Sequence, residues 1–452
     1  MNIFRKFFLL LALSLISQTI MAAWSLEPSY FLRYERNDNI YLQTQDNELA
    51  VKGGTFGPAI KAILEEEDQS LVADVNLQFT RYKDHKELDR DEGKAGLNWR
   101  KATELSVYGI SASYSDKSNL DNTLETSGIQ QNIKQKTSNI SPNWRYQIGE
   151  RWNVSADLSY TDTEYDEPGI PGYNNFKVVN FINSTEQSGS IALGREMTER
   201  DSISLTYYQS AYEGEGNGLQ IIKGLVCQNS IYDPNSCAKF PAGPTSVVQA
   251  NERKQEYDYR VWQIGYEHLF QENSSVSLQA GSSVTQIVNQ TFPHYFDQIF
   301  TEVFSIPPAT RSVNQSEKKG QVYNVTYKQQ SEISSFELSA GRNRVASSTG
   351  GLDETDTAKI YYTNSITERL SWSLDVNSAK YKPDQDISVL AVNNYRRTSA
   401  SPYIYYKLNV NWTMSLGYIY AKKDIETDAL PRESNTVFFN MSWREPKLLS
   451  TN

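Results

Sequence analysis

Histidine is scarce in this chain: His85, His268 and His294 are the only three among 452 residues. Cysteine is scarcer, with Cys227 and Cys237 alone. No Gly-x-Ser-x-Gly elbow and no His-Glu-x-x-His pair occurs. Hydrolases that activate a nucleophile or a metal-bound water draw on those residue types at those spacings. The expectation is a protein without catalysis, cofactor or bound metal. The 54 acidic residues offer many chance carboxylate pairs, which read as solvated loop charges. Long apolar runs are missing as well. Past residue 23 no stretch is long and apolar enough to cross a bilayer as a helix.

Residues 1–23 read as a cleaved signal peptide. Arg5 and Lys6 supply its positive start, Phe7 to Ile16 its apolar core, and Met21, Ala22 and Ala23 the small residues before a cut ahead of Trp24. Removing the two cations takes the formal net charge from -10 to -12. That acidity argues against nucleic acid as a partner. A signal peptide implies an oxidising compartment, where Cys227 and Cys237 can bridge. The pair therefore reads as a disulfide pinning a long loop. A metal or redox site there lacks a neighbouring histidine.

What is abundant is alternation. A polar turn leads at once into a strand with one apolar and one polar face. It occurs at Glu150 to Tyr160, Glu199 to Tyr207, Glu272 to Ala280, Glu368 to Val376 and Asn409 to Tyr418. Further period-two runs fill the spaces between: Val75, Leu77 and Phe79; Trp144, Tyr146 and Ile148; Ile404, Tyr406 and Leu408; Val437, Phe439, Met441 and Trp443. Connections alternate too. Eight short ones fall near residues 65–69, 101–104, 147–151, 196–200, 271–274, 330–333, 367–369 and 409–411. Nine longer ones fall near 37–48, 83–92, 116–131, 166–177, 213–252, 293–312, 347–355, 383–394 and 424–433.

This pattern predicts an all-β fold over residues 24–445: a transmembrane, antiparallel, up-and-down β-barrel of about 18 strands, with 16 as the alternative. Short turns belong on the periplasmic side and long loops outside. A short helix over residues 57–67 is a competing local reading. Residues 446–452 form a short periplasmic tail. Blade-length repeats and linkers, which a propeller or a string of sandwiches would show, are absent. Trp99, Trp144, Trp152, Trp372 and Trp412 sit near short turns, as a periplasmic aromatic girdle would. A TonB-coupled transporter would need an N-terminal plug, for which the early first strand leaves no room.

By phase, the polar face carries Arg33, Arg100, Arg145, Asp157, Lys328, Asp375 and Lys407, together with Tyr403 and Tyr405. These are the candidate lumen-facing residues. Their mixed signs predict weak ion selectivity. The two tyrosines either stack on sugar rings or fill space.

The opening strand, Leu26 to Leu42 with Asp38-Asn39-Ile40, resembles that of the β-barrel porin 2 family. The ending, Ser434-Asn435 followed by an alternating strand to Trp443, is similar to that family's last strand. The ending departs from the usual terminal aromatic, because nine residues follow Trp443, with Pro446 stopping any strand. The family includes outer-membrane proteins of exopolysaccharide and exosortase (PEP-CTERM) loci. The resemblance implies a porin-like protein of the Gram-negative outer membrane that passes or docks a secreted exopolysaccharide. Its implied partners are outer-membrane lipid and lipopolysaccharide, the barrel assembly machinery and polysaccharide export components. Passage would run through a wide, hydrated, mixed-charge channel gated by the disulfide-pinned loop 213–252. The strand pattern by itself leaves two alternatives: a general diffusion porin for small solutes, or a closed-barrel surface scaffold or adhesion protein.

Overall fold

In the computed structural model, eighteen strands form one antiparallel sheet that closes on itself. The described residues are 24–45, 48–118, 133–166, 169–170, 173–177, 182–223, 246–271, 273–293, 312–346, 352–382, 394–426, 428 and 430–445. Residues 1–23, Cys227, Cys237 and residues 446–452 lie outside them, and with them the expected leader, disulfide and tail.

The first seven strands are β1 Trp24–Asn37, β2 Val51–Glu65, β3 Gln69–Tyr82, β4 Arg90–Ala102, β5 Ser106–Ser118, β6 Lys134–Ile148 and β7 Trp152–Tyr165. A small separate hairpin follows, β8 Gly169–Ile170 with β9 Tyr173–Lys177. The wall resumes with β10 Asn183–Glu196, β11 Asp201–Lys223, β12 Ser246–Gln271, β13 Ser274–Pro293 and β14 Ser312–Gln330. It ends with β15 Ser334–Ala346, β16 Leu352–Ser365, β17 Leu370–Lys382, β18 Tyr395–Lys407, β19 Trp412–Ile425 and β20 Arg432–Arg444. Each wall strand pairs with its neighbours in chain order, and β1 pairs with both β2 and β20, which leaves no edge.

The strand count is 18, not 16. The competing helix over 57–67 does not form, because Gly57 to Glu65 belong to β2. A helix there would strip β1 and β3 of their shared partner, and the alternation of Phe56 and Ile60 with Thr55 and Lys61 suits a strand with two faces.

Five of the eight short turns share one device. The side-chain oxygen of Thr103, Thr198, Ser331, Thr367 or Asn409 accepts the backbone N–H three residues on, from Ser106, Asp201, Ser334, Leu370 and Trp412. These residues hydrogen-bond locally and hold a turn without a partner strand. A sixth turn places Gly149 at φ 70°, where L side chains are strained.

Every strand turns one face outward. Leu32, Leu158, Ile191, Ile264 and Leu416 are each at least half exposed on that face. So large an apolar band is costly in water and stable in hydrocarbon. Its lower rim carries aromatic contacts. Tyr30 lies 5.0 Å from Trp443 and 5.7 Å from Trp412, and Tyr362 lies 5.1 Å from Trp372. Over the apolar band every strand has a hydrogen-bonded neighbour on both sides, which is what a membrane interior demands. The chain is an outer-membrane β-barrel.

Two seams stand out. At β20–β1 the ladder runs from Ser29↔Arg444 to Asn37↔Thr436. Above it, the Asp38 carboxylate accepts the Asn435 N–H at 2.6 Å and its Nδ2 at 2.7 Å. Asn39 Nδ2 donates to the Glu433 carbonyl at 2.8 Å, and Ser434 Oγ donates to Asn37 Oδ1 at 3.1 Å. Below it, Arg444 is ion-paired with Glu27. At β14–β15 the ladder stops at Tyr323↔Arg342, although β14 continues to Ser312 and β15 to Ala346. Arg344 bridges the gap, donating to Thr285 Oγ1 at 3.0 Å and to the Lys319 carbonyl at 3.3 Å.

Strands β11 to β14 are the tallest, at 23, 26, 20 and 19 residues. β10 covers β11 only as far as Glu215. The remaining eight residues, to Lys223, pair with β12 alone and extend about 26 Å along the strand.

Candidate functional site: the inner wall

Register fixes which side chains face the lumen, since residues directly opposite in a ladder share a face. One inward row crosses six seams, from β18 to β4: Tyr405, Ser415, Asn440, Arg33, Thr55, Thr80 and Arg90. The row above it runs Tyr403, Gly417, Phe438, Glu35, Gly53 and Tyr82.

The rings of these two rows make a shelf. Tyr403 lies 6.1 Å from Tyr405 and 5.6 Å from Phe438, between ring centroids. The Arg33 guanidinium sits 4.1 Å over the Phe438 ring, a cation–π contact. The shelf depends on Gly417, because a Cβ there would collide with both Phe438 and Tyr403. Gly53 makes the same kind of room for Tyr82.

Polar groups continue the shelf. Arg33 Nε donates to Glu35 at 3.0 Å, Tyr82 OH donates to Glu35 at 2.8 Å, and Arg90 Nη2 donates to Tyr82 OH at 3.1 Å. Tyr82 and Arg90 are both 5% exposed, so this chain is set into the wall rather than waving in solvent. The Asn440 side-chain oxygen Oδ1, in the lower row, is buried with no hydrogen-bond donor. A buried acceptor of this kind calls for water or a ligand hydroxyl.

Next to Arg90 the wall recesses into a cavity of about 430 Å³ lined by β3 to β6. Asn76, Gln78, Glu92, Lys94, Ser115 and Thr137 line it, all polar, and the Asn76 side-chain oxygen Oδ1 is also without a donor. Loops close over the top of this region. Ile40, Tyr41 and Leu49 pack against Val51, Tyr82 and Leu88. Burial raises the pKa of the Tyr41 phenol, and the nearby Glu87 carboxylate adds to the rise.

The other sequence candidates also lie on the inner face. Asp157 accepts a hydrogen bond from Ser190 at 3.2 Å. Lys328 is 4.0 Å from Glu337, and Asp375 is 3.7 Å from Lys359. Arg100, Arg145 and Lys407 occupy the periplasmic ends of β4, β6 and β18. None of these six joins the shelf; of the nine candidates only Arg33, Tyr403 and Tyr405 come together. Phe438, Glu35, Tyr82 and Arg90 were not singled out from sequence. The signal for Phe438 was present: it is an aromatic on the polar phase of β20, between outward Val437 and Phe439.

A second inward aromatic group lies on the tall strands. Tyr212 stacks on Tyr257 at 4.3 Å, and Tyr259, Val261, Ile287, Val322 and Leu352 complete a buried cluster. Among the described residues no group of His, Cys, Asp or Glu could hold a metal ion. His268 faces outward near the periplasmic rim, with Nδ1 2.8 Å from Asp201.

No family model matches the chain. No curated protein matches it. Among solved structures, the siderophore receptor PiuA from Acinetobacter baumannii is 9% identical, over 92% of this chain and 82% of its own, with a TM-score of 0.42. OccK2 (OpdF) from Pseudomonas aeruginosa is 6% identical, over 94% and 98%, with a TM-score of 0.42. The ferric citrate transporter FecA in its unliganded form is 10% identical, over 92% and 63%, with a TM-score of 0.47. At those values the likenesses add no argument; the fold and location rest on the barrel's own register and outward apolar faces.

Proposed function

We propose that this barrel gives passage to, or docks, a secreted exopolysaccharide, with the inner wall from β18 to β6 as the surface it touches. The shelf of Tyr405, Tyr403 and Phe438 beside the Arg33–Glu35 pair carries the reading. Aromatic faces take the apolar C–H faces of sugar rings. Flanking charges and amides exchange hydrogen bonds with hydroxyls, so a polymer slides with little net cost at each step. The recess lined by Asn76 and Gln78 extends that surface with acceptors and donors of the same kind. The resemblance of the two chain ends to the β-barrel porin 2 family supports the same substrate class.

Single-channel conductance of the refolded barrel in a planar bilayer tests this. Neutral oligosaccharides are expected to block openings, and Tyr403→Ala with Tyr405→Ala to shorten the blocks about tenfold, a loss of one to two stacking contacts. Openings indifferent to sugars would replace this reading with a general diffusion porin. No openings would favour a closed scaffold, for which the Tyr212–Tyr257 cluster already provides inward packing.

A further inference from the structure

The outer faces of β1 to β3 run upward from apolar to cationic. On β1 the order is Leu32, Tyr34, Arg36; on β2, read upward, it is Ile60, Phe56, Lys52. β3 ends its outward face with Phe79 and Arg81, and Lys83 follows at the rim. Arg36 and Lys52 are directly opposite in the ladder, and Lys83 N–H donates to the Lys52 carbonyl at 2.9 Å. Three cations thus share one row. All three are exposed, and none has an ion pair among the described residues. Like charges facing each other across a ladder destabilise it. One step below the row Arg81 is neutralised by Asp91 at 2.7 Å, and elsewhere on the rim Lys254 on β12 is ringed by Glu213, Glu215 and Glu256.

Beneath the row lies a dent. Gly54 sits opposite Tyr34 on one side and Arg81 on the other, and faces outward. A Cβ at Gly54 would meet only the Arg33 carbonyl oxygen, at 3.7 Å, so packing does not require glycine there. Tyr34 beside the dent and Phe56 one step below it are 56% and 44% exposed toward the acyl chains. A ligand that fits must be amphipathic and anionic, with negative charge one step above its hydrocarbon.

We infer that Arg36, Lys52 and Lys83 bind the phosphate groups of an outer-leaflet glycolipid, whose acyl chains lie on Tyr34 and Phe56. The site is on the outside of the wall and stands independently of what passes through the lumen. The bound phosphates offset the repulsion within the row and fasten the flank that carries the closure seam.

The full-length barrel, refolded in neutral detergent, is titrated with bisphosphorylated lipid A, with its dephosphorylated form and with inorganic phosphate. Loss of the folded, heat-modifiable band on gels is followed against temperature. Bisphosphorylated lipid A is expected to raise the melting point; the other two are not. Lys52→Gln and Arg36→Gln are each expected to weaken binding about fivefold, the worth of one cation at an anionic surface. Both variants fold at least as well as the parent without lipid, since each relieves a like-charge pair. Gly54→Leu fills the dent and weakens binding without any change of charge. Equal stabilisation by dephosphorylated lipid would reduce the site to ordinary hydrocarbon contact and overturn the inference. Equal stabilisation by inorganic phosphate, or binding unchanged in all three variants, would overturn it as well.

Discussion

The β20–β1 and β14–β15 seams are built from ladders of similar length and end in opposite ways. At β20–β1 the pairing reaches the top of β1 at Asn37↔Thr436, and Asn37, Asp38 and Asn39 then grip Glu433, Ser434 and Asn435 in the remainder of β20. At β14–β15 the pairing ends at Tyr323↔Arg342, and a single guanidinium, Arg344, reaches across to Thr285 and Lys319. A cylinder closed by backbone hydrogen bonds can therefore be fastened unevenly. Of these two seams, the outer end is held by several side-chain hydrogen bonds where the chain's two ends meet and by one arginine beside the tall strands β11 to β14. The more lightly fastened of the two lies next to the inward tyrosine cluster and away from the aromatic shelf.

The largest effect is expected from Asp38→Ala, which removes two charge-assisted hydrogen bonds to Asn435. Urea unfolding in micelles should show a loss of about 2–4 kcal/mol. A loss smaller than a few tenths would mean that the ladder alone holds the closure. Arg344→Ala comes next. It removes a partner of Thr285, which is fully buried, at a cost of about 1–3 kcal/mol. Its more telling readout is hydrogen exchange, which should quicken on residues 312–322 and 343–346 and stay unchanged on β20 and β1. Uniform quickening would remove the distinction between the seams. The smallest effect belongs to Arg342→Ala. This arginine pairs with Asp356 at 2.5 Å at the top of the β14–β15 ladder, but on the partly exposed outer face. About 0.5 kcal/mol is expected by the same unfolding assay. A loss as large as that of Arg344→Ala would mean that the outer ion pairs, not the bridge, hold this seam.

The fold was largely legible because alternation is a local property. Each strand declares its two faces within a few residues, and Thr103, Thr198, Ser331, Thr367 and Asn409 mark turns by their own side-chain chemistry. The shelf was less legible because register is not local. Tyr403 and Tyr405 could be assigned a face from phase, but nothing in their neighbourhood says that Gly417, Phe438 and Glu35 lie in the next positions along the row. Phe438 on β20 and Tyr82 on β3 are aromatics on the polar phase and could have been noticed; Arg90 follows its phase and could not. The grip between residues 37–39 and 433–435 is the extreme case. Both phrases are visible in the sequence, yet their contact spans 394 to 397 positions.

That span has a kinetic consequence. Loop-closure entropy must be met before such a contact returns any energy, so it forms late. Until Arg432–Arg444 is in place, the β1 flank that will receive it is a bare template of N–H and C=O groups, ready to accept any extended chain. Seventeen strands of sheet therefore form a curved ribbon with a vulnerable margin, and the eighteenth converts it to a cylinder in one step. Asp38 and Asn435 act on that last step, selecting the correct end of the correct strand when the ribbon shuts.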